Sequence, residues 1–132
     1  MVSVCFYFQV HQPYRIRHYP VFDIGNKHDY FSDSSNSSLN NKKILNKVAE
    51  KCYLPANKMI LELIKKHPEF KVSYSISGVV LEQFKEFNPE VLKSFQELVN
   101  TGNVELLNET YYHSLACLFS KEEFKEQVRL HK

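Results

Sequence analysis

Histidines and glutamates stand at or just after segments whose composition predicts β-strands. His11 ends an apolar stretch at residues 2–10, and Glu105, Glu109 and His113 lie in or just after residues 103–109. Imidazole and carboxylate side chains can bind a ligand, transfer protons or ligate a metal ion. The sequence therefore predicts a site at these strand ends and leaves its chemistry open.

His11 stands immediately before Gln12 and Pro13. A proline disfavours helix at the preceding residue, so the chain leaves the strand in a defined direction and presents both side chains. A histidine that binds a ligand and one that only hydrogen-bonds a loop fit this position equally well.

The two glutamates of the third segment invite comparison with the carboxylate pair of a glycosidase. Four residues of strand span about 13 Å, whereas such pairs stand roughly 5–5.5 Å or 6.5–9.5 Å apart. We therefore predict that Glu105 and Glu109 are not a catalytic pair. Glu105 either points inward, where a carboxylate needs a partner, or lies near solvent at the strand's end.

A metal site is a weaker alternative. No histidine pair has the helical His-Glu-x-x-His spacing, so a site could form only if His11, His113, Glu105 and Asp23 or Asp29 met in space.

Tyrosines are frequent in the predicted loops, where an amphipathic ring offers a flat surface and a hydroxyl. Such rings beside arginines and histidines could bind a sugar. For Tyr19 and Tyr30 it is an equal alternative that the rings only pack at the base of their loop. The loop tyrosines are Tyr14, Tyr19, Tyr30, Tyr111 and Tyr112.

Three segments alternate in the manner of strands, at residues 2–10, 71–77 and 103–109. Each has an apolar face and a face that is small or polar. Amphipathic helices are predicted between them, with Pro55 interrupting the first pair, and after them from Ser120. Strands joined by helical crossovers pair in parallel, which predicts an α/β sheet or barrel. A solvent-facing antiparallel sheet would show the same alternation.

Composition excludes several classes of function. The 132 residues carry a formal net charge of +2 and three scattered glycines, which argue against a nucleic-acid face and a phosphate-binding loop. No stretch approaches the ~20 apolar residues of a membrane helix. The three cysteines, Cys5, Cys52 and Cys117, are predicted to be small buried hydrophobes in a reducing compartment. We therefore expect a cytoplasmic protein, with a mobile polar tip at residues 32–41.

Four segments, in order, resemble glycoside hydrolase family 57, specifically its α-amylase-type branch. They are residues 8–15 (FQVHQPYR), 75–79 (SISGV), 102–107 (GNVELL) and 109–115 (ETYYHSL), and together they extend over essentially the whole chain.

The resemblance implies the N-terminal part of a distorted (β/α)7 barrel with parallel strands and crossover helices. It implies retaining hydrolysis or transfer at α-glucan linkages, with neither a metal nor an organic cofactor. His11 would help to form the sugar site and Glu105 would support it. The other expected substrate-binding residues are Gln12, Tyr14, Glu109 and His113.

The family's nucleophilic glutamate and acid/base aspartate belong to later strands, and no segment here matches them. A closed barrel of this kind needs about 250 residues. We therefore expect residues 1–132 to be an N-terminal fragment of one barrel domain, inactive as a hydrolase alone, with the catalytic groups beyond Lys132. The alternatives are a 4-α-glucanotransferase or branching enzyme, a metal-dependent carbohydrate deacetylase and a non-catalytic carbohydrate-binding remnant.

Overall fold

Three parallel strands form the centre of the molecule. In the computed structural model, which describes residues 2–31, 36 and 38–132, the sheet order is β1-β2-β3. The strands are β1 (Phe6–Val10), β2 (Val72–Ile76) and β3 (Val104–Leu107). Their register places Gln9 beside Ser75 and Ser75 beside Leu107. The predicted parallel pairing is confirmed.

Helices make the crossovers between the strands. The helices are α1 (Asn41–Val48), α2 (Leu54–Lys66), α3 (Gly78–Phe87), α4 (Pro89–Val99) and α5 (Lys121–His131). A π-helical turn, Ala49–Tyr53, joins α1 directly to α2. Pro55 therefore does not interrupt the helical path as predicted, because it lies in the first turn of α2, where its missing N–H is tolerated.

The core lies between one face of the sheet and the helices. Tyr74 of β2 packs edge-on against Phe95 of α4, with ring centroids 5.6 Å apart, and Phe84 of α3 stacks on Phe95 at 5.8 Å. The opposite face of the sheet, which carries Tyr7 and Leu107, is open. The predicted two-faced alternation is thus confirmed in the arrangement of the strands.

The β-branched and aromatic residues of the first strand predict a buried strand, but the strand is largely exposed. Phe6 remains 48% exposed and Val10 alone of β1 is buried. The strand is at the edge of the sheet, so its apolar side is covered only in part, by Phe70 against Phe6 and by Tyr74 against Phe8.

The cysteine prediction is wrong, since all three thiols are exposed. Cys5 precedes the edge strand, Cys52 occupies a solvent-facing position of the π turn, and Cys117 lies in a surface 3-10 turn, Ala116–Leu118. None of the described helices is long and apolar enough to cross a membrane. The cytoplasmic location stays a prediction.

The long connection after β1 is irregular, as predicted, with one short 3-10 turn at Val21–Asp23. The buried side chain of Asn41 fixes this connection in place. Its Oδ1 accepts a hydrogen bond from the Arg15 amide at 2.8 Å, and its Nδ2 donates to the Arg15 and Phe31 carbonyls at 3.0 and 2.9 Å. Of the tip predicted at residues 32–41, residues 32–35 and 37 lie outside the described residues.

Candidate functional site

Polar side chains from all three strand regions meet at the carboxyl ends of the strands. Gln9 lies near the end of β1 on the open face, His11 and Ser77 follow β1 and β2, and Glu109 and His113 belong to the loop after β3. We call these five residues the strand-end cluster. Parallel strands place their carboxyl ends at one edge of a sheet, which explains how residues a hundred positions apart come together.

Two members of the cluster hold the Glu109 carboxylate. Its side chain is only 11% exposed. The Gln9 amide donates to the two carboxylate oxygens at 2.9 and 3.1 Å, and His113 Nδ1 lies 2.6 Å from Oε2. The Tyr7 hydroxyl in turn donates to the side-chain oxygen Oε1 of Gln9 at 2.6 Å. Glu109 is therefore fixed between the first strand and its own loop.

The backbone at His113 is constrained. Its φ is +53°, a left-handed conformation that is unusual for a residue other than glycine. Two hydrogen bonds close the turn. The His113 amide donates to the Thr110 carbonyl at 2.9 Å, and the Ser114 amide donates to the Thr110 hydroxyl at 2.8 Å. From α5, buried Gln127 accepts a bond from the Ser114 hydroxyl at 2.8 Å. Strain held in this way at a polar cluster is typical of functional loops.

His11 joins the cluster through two contacts. Its Nδ1 lies 2.7 Å from the Ser77 hydroxyl, and its ring centroid lies 4.8 Å from that of His113. Burial lowers the pKa of His11 from its usual 6.5, the His113 imidazole lowers it further, and Glu109 opposes both. His11 is therefore neutral at pH 7 and can both donate and accept hydrogen bonds.

The titration of His11 checks this arrangement. We expect its NMR titration midpoint to lie below 6.5, to fall further in Glu109→Gln and to rise in His113→Ala, following the three causes above. Because the folded chain then binds fewer protons at His11 than the unfolded chain, this residue's contribution makes stability rise with pH just below 6.5. A midpoint above 6.5, or one that neither substitution moves, would contradict the geometry.

Three of the predicted site residues lie outside the cluster. Glu105 accepts a hydrogen bond from the Ser73 hydroxyl at 3.4 Å. The strand register places it level with Tyr7, about 7 Å along the strands from Gln9. The Gln12 amide points to the Tyr53 hydroxyl, 3.5 Å away, among the helices. Tyr14 lies in a separate cleft beside α3. The structure thus brings together His11, Glu109 and His113 and leaves the other three apart.

Two members of the cluster, Gln9 and Ser77, are not among the substrate-binding residues expected from the sequence, although Ser77 stands at a predicted strand end. Gln9 shares the polar face with His11, and its position next to Val10, the last residue of β1, was the available signal. Ser77 had the same signal on the second strand. Neither carries chemistry alone, since their importance comes from the partners that the fold supplies.

The metal alternative finds no support in the described residues. They contain no group of three or more His, Cys, Asp or Glu side chains placed to hold a metal ion. Asp23 and Asp29 are instead engaged by Arg17, at 2.5 and 3.4 Å.

Comparisons with known proteins give a consistent result. The model of the family described as Glycosyl hydrolase family 57 matches residues 5–132. A Methanocaldococcus jannaschii protein named "Putative alpha-amylase" is 47% identical over 130 residues, 98% of this chain and 27% of the relative. The alpha-amylase of Pyrococcus furiosus is 34% identical over 63% of this chain and 12% of its own length.

A solved structure shares the fold. The 4-alpha-glucanotransferase from Thermococcus litoralis aligns with 97% of this chain, with a TM-score of 0.63 and 22% identity. The match involves 16% of that chain, in its N-terminal part. The present chain therefore spans about a quarter or less of the length of these relatives.

Proposed function

The chain belongs to glycosyl hydrolase family 57, and on that premise we propose that it is the α-glucan-binding N-terminal part of a distorted (β/α)7 barrel. The parallel strands, the helical crossovers and the polar open face support this architecture. The observation that carries the proposal is the strand-end cluster, which occupies the edge where such barrels hold their substrates.

The cluster has the chemistry that sugar hydroxyls require. Carboxylate oxygens accept hydroxyl protons in strong, charge-assisted hydrogen bonds, and a neutral imidazole offers one donor and one acceptor. Glu109 and His113 line a depression of about 580 Å³ on the open face, within the range of ligand sites. His113 keeps 46% of its side chain exposed and so stays accessible to a ligand.

Cleavage of a glycosidic bond with retention needs two carboxyl groups about 5–5.5 Å apart. Glu109 is the single carboxylate among the described residues that line this depression, so the depression lacks the second carboxyl group. We therefore assign substrate binding to this chain and the nucleophile and acid/base to residues outside it. Hydrolysis and transfer to a sugar acceptor share this binding step.

Calorimetric titration of the 132-residue chain tests the proposal. We expect saturable binding of maltoheptaose, no binding of the β-linked cellohexaose, and no release of reducing sugar from starch. The β-linked sugar is the control, because it consists of the same glucose units, one fewer, joined in a different chain geometry. Equal binding of both sugars, or of neither, would refute α-glucan recognition, and starch hydrolysis would refute the assignment of chemistry elsewhere.

A further inference from the structure

A second concave surface lies between the long loop and α3. This cleft, of about 490 Å³, is lined by aromatic rings and carboxylates, among them Tyr14, Tyr30, Phe31, Asp29 and Glu86. The rings of Tyr14 and Phe31 are 5.4 Å apart, and Tyr14 Oη lies 3.5 Å from a Glu86 oxygen. Aromatic walls with a few placed polar groups are typical of small-molecule sites.

A row of tyrosines and glutamates runs along α3 from this cleft. The Tyr111 hydroxyl donates to Glu82 at 2.7 Å, and Glu82 lies one helical turn before Glu86. Burial, reinforced by these glutamates, raises the pKa of both Tyr14 and Tyr111 to about 12. Both phenols are therefore neutral at physiological pH and keep a proton to donate.

The row begins at the strand-end cluster. Tyr111 precedes His113 by two residues, and its carbonyl accepts the Val79 amide at 3.2 Å. Its ring lies directly over Gly78, where a Cβ atom would stand 2.2 Å from the ring. Gly78 follows Ser77, which holds His11. A ligand chain leaving the cluster over Tyr111 thus meets Glu82 and then the cleft.

We propose that the cleft is an outer subsite that binds further glucosyl units of the same α-glucan chain. The inference rests on the proposed function and extends it to chain length. Flat rings pack against the apolar faces of sugars, while carboxylates and phenols pair with their hydroxyls. The lining holds Lys42 as well as Glu86, and Asp29 is paired with Arg17 at 3.4 Å. The charges of the cleft are therefore close to balanced, which suits a neutral polyhydroxyl ligand.

Chain-length dependence of affinity tests this subsite. In Glu86→Gln and Tyr14→Phe we expect maltoheptaose to bind about tenfold more weakly, the effect of losing one hydrogen bond of about 1.4 kcal/mol. Gly78 beside the cluster and Glu86 in the cleft are eight residues apart on α3, about 12 Å. Maltose, with two glucosyl units, should therefore occupy the cluster alone and bind as before. Glu97→Gln is the matched control, because Glu97 is an exposed glutamate on α4 outside the cleft. Thermal melting of each variant monitors folding.

The outcomes separate this inference from the proposal beneath it. If both sugars weaken equally, or maltoheptaose binding is unchanged, the outer subsite is refuted and glucan binding by the cluster stands. If the unchanged chain binds neither sugar, the proposed function is refuted and the subsite with it.

Discussion

Replacing Glu109 by alanine is expected to weaken maltoheptaose binding by about 10- to 100-fold, the largest effect of any single substitution on the site. The carboxylate is nearly buried and accepts from Gln9 and His113. Hydrogen bonds to charged groups contribute ~1.5–3 kcal/mol each, and a factor of ten corresponds to 1.4 kcal/mol. Its removal takes away the proposed sugar acceptor and leaves both partners without their carboxylate.

Calorimetric titration measures this loss, with Glu62→Ala as the control. Glu62 is an exposed glutamate on α2, so its removal should change the affinity less than twofold. If Glu109→Ala binds as tightly as the unchanged chain while its melting temperature is preserved, the strand-end cluster does not hold the glucan.

Replacing Phe84 by alanine should have the largest effect on stability. The side chain is 0% exposed and packs against Phe95 at 5.8 Å and Tyr53 at 5.4 Å. Truncation of a buried phenylalanine costs ~3–5 kcal/mol, a large part of the ~5–15 kcal/mol that stabilises a domain.

Phe119 supplies the comparison, because it is 90% exposed. Its replacement by alanine should change the free energy of unfolding by less than ~0.5 kcal/mol. Both values come from urea denaturation followed by circular dichroism. A similar cost for the two substitutions would show that the aromatic packing between α3 and α4 is not the core described above.

Local pattern was sufficient to predict three strands, the faces they present and the parallel pairing. It made the strands too long, above all the first, which was predicted at residues 2–10 and is Phe6–Val10 in the structure. Alternation places Gln9 and His11 on the same face. Helical spacing places Phe95 in an apolar stripe, and in the structure it packs against Tyr74 of the sheet. These properties depend on neighbours in sequence, so one chain reveals them.

Features that depend on distant contacts escaped prediction. The direction of Gln12 is set by Tyr53 and by Gln83, which donates to its carbonyl at 2.6 Å, and neither partner is near it in sequence. The Tyr14 side chain points toward α3, where its hydroxyl lies 3.5 Å from a carboxylate oxygen of Glu86, another partner distant in sequence. The exposure of β1 and of Cys5 follows from the position of the strand in the sheet, which alternation does not encode.

Mapping the glucan site by NMR tests the central claim most directly. Maltoheptaose is titrated into isotope-labelled chain, and the signals of the strand-end cluster are followed to saturation. We expect saturable shifts at Gln9, His11, Ser77, Glu109 and His113. Saturable binding that leaves these five residues unmoved and shifts signals elsewhere would contradict the assignment of this cluster as the glucan site.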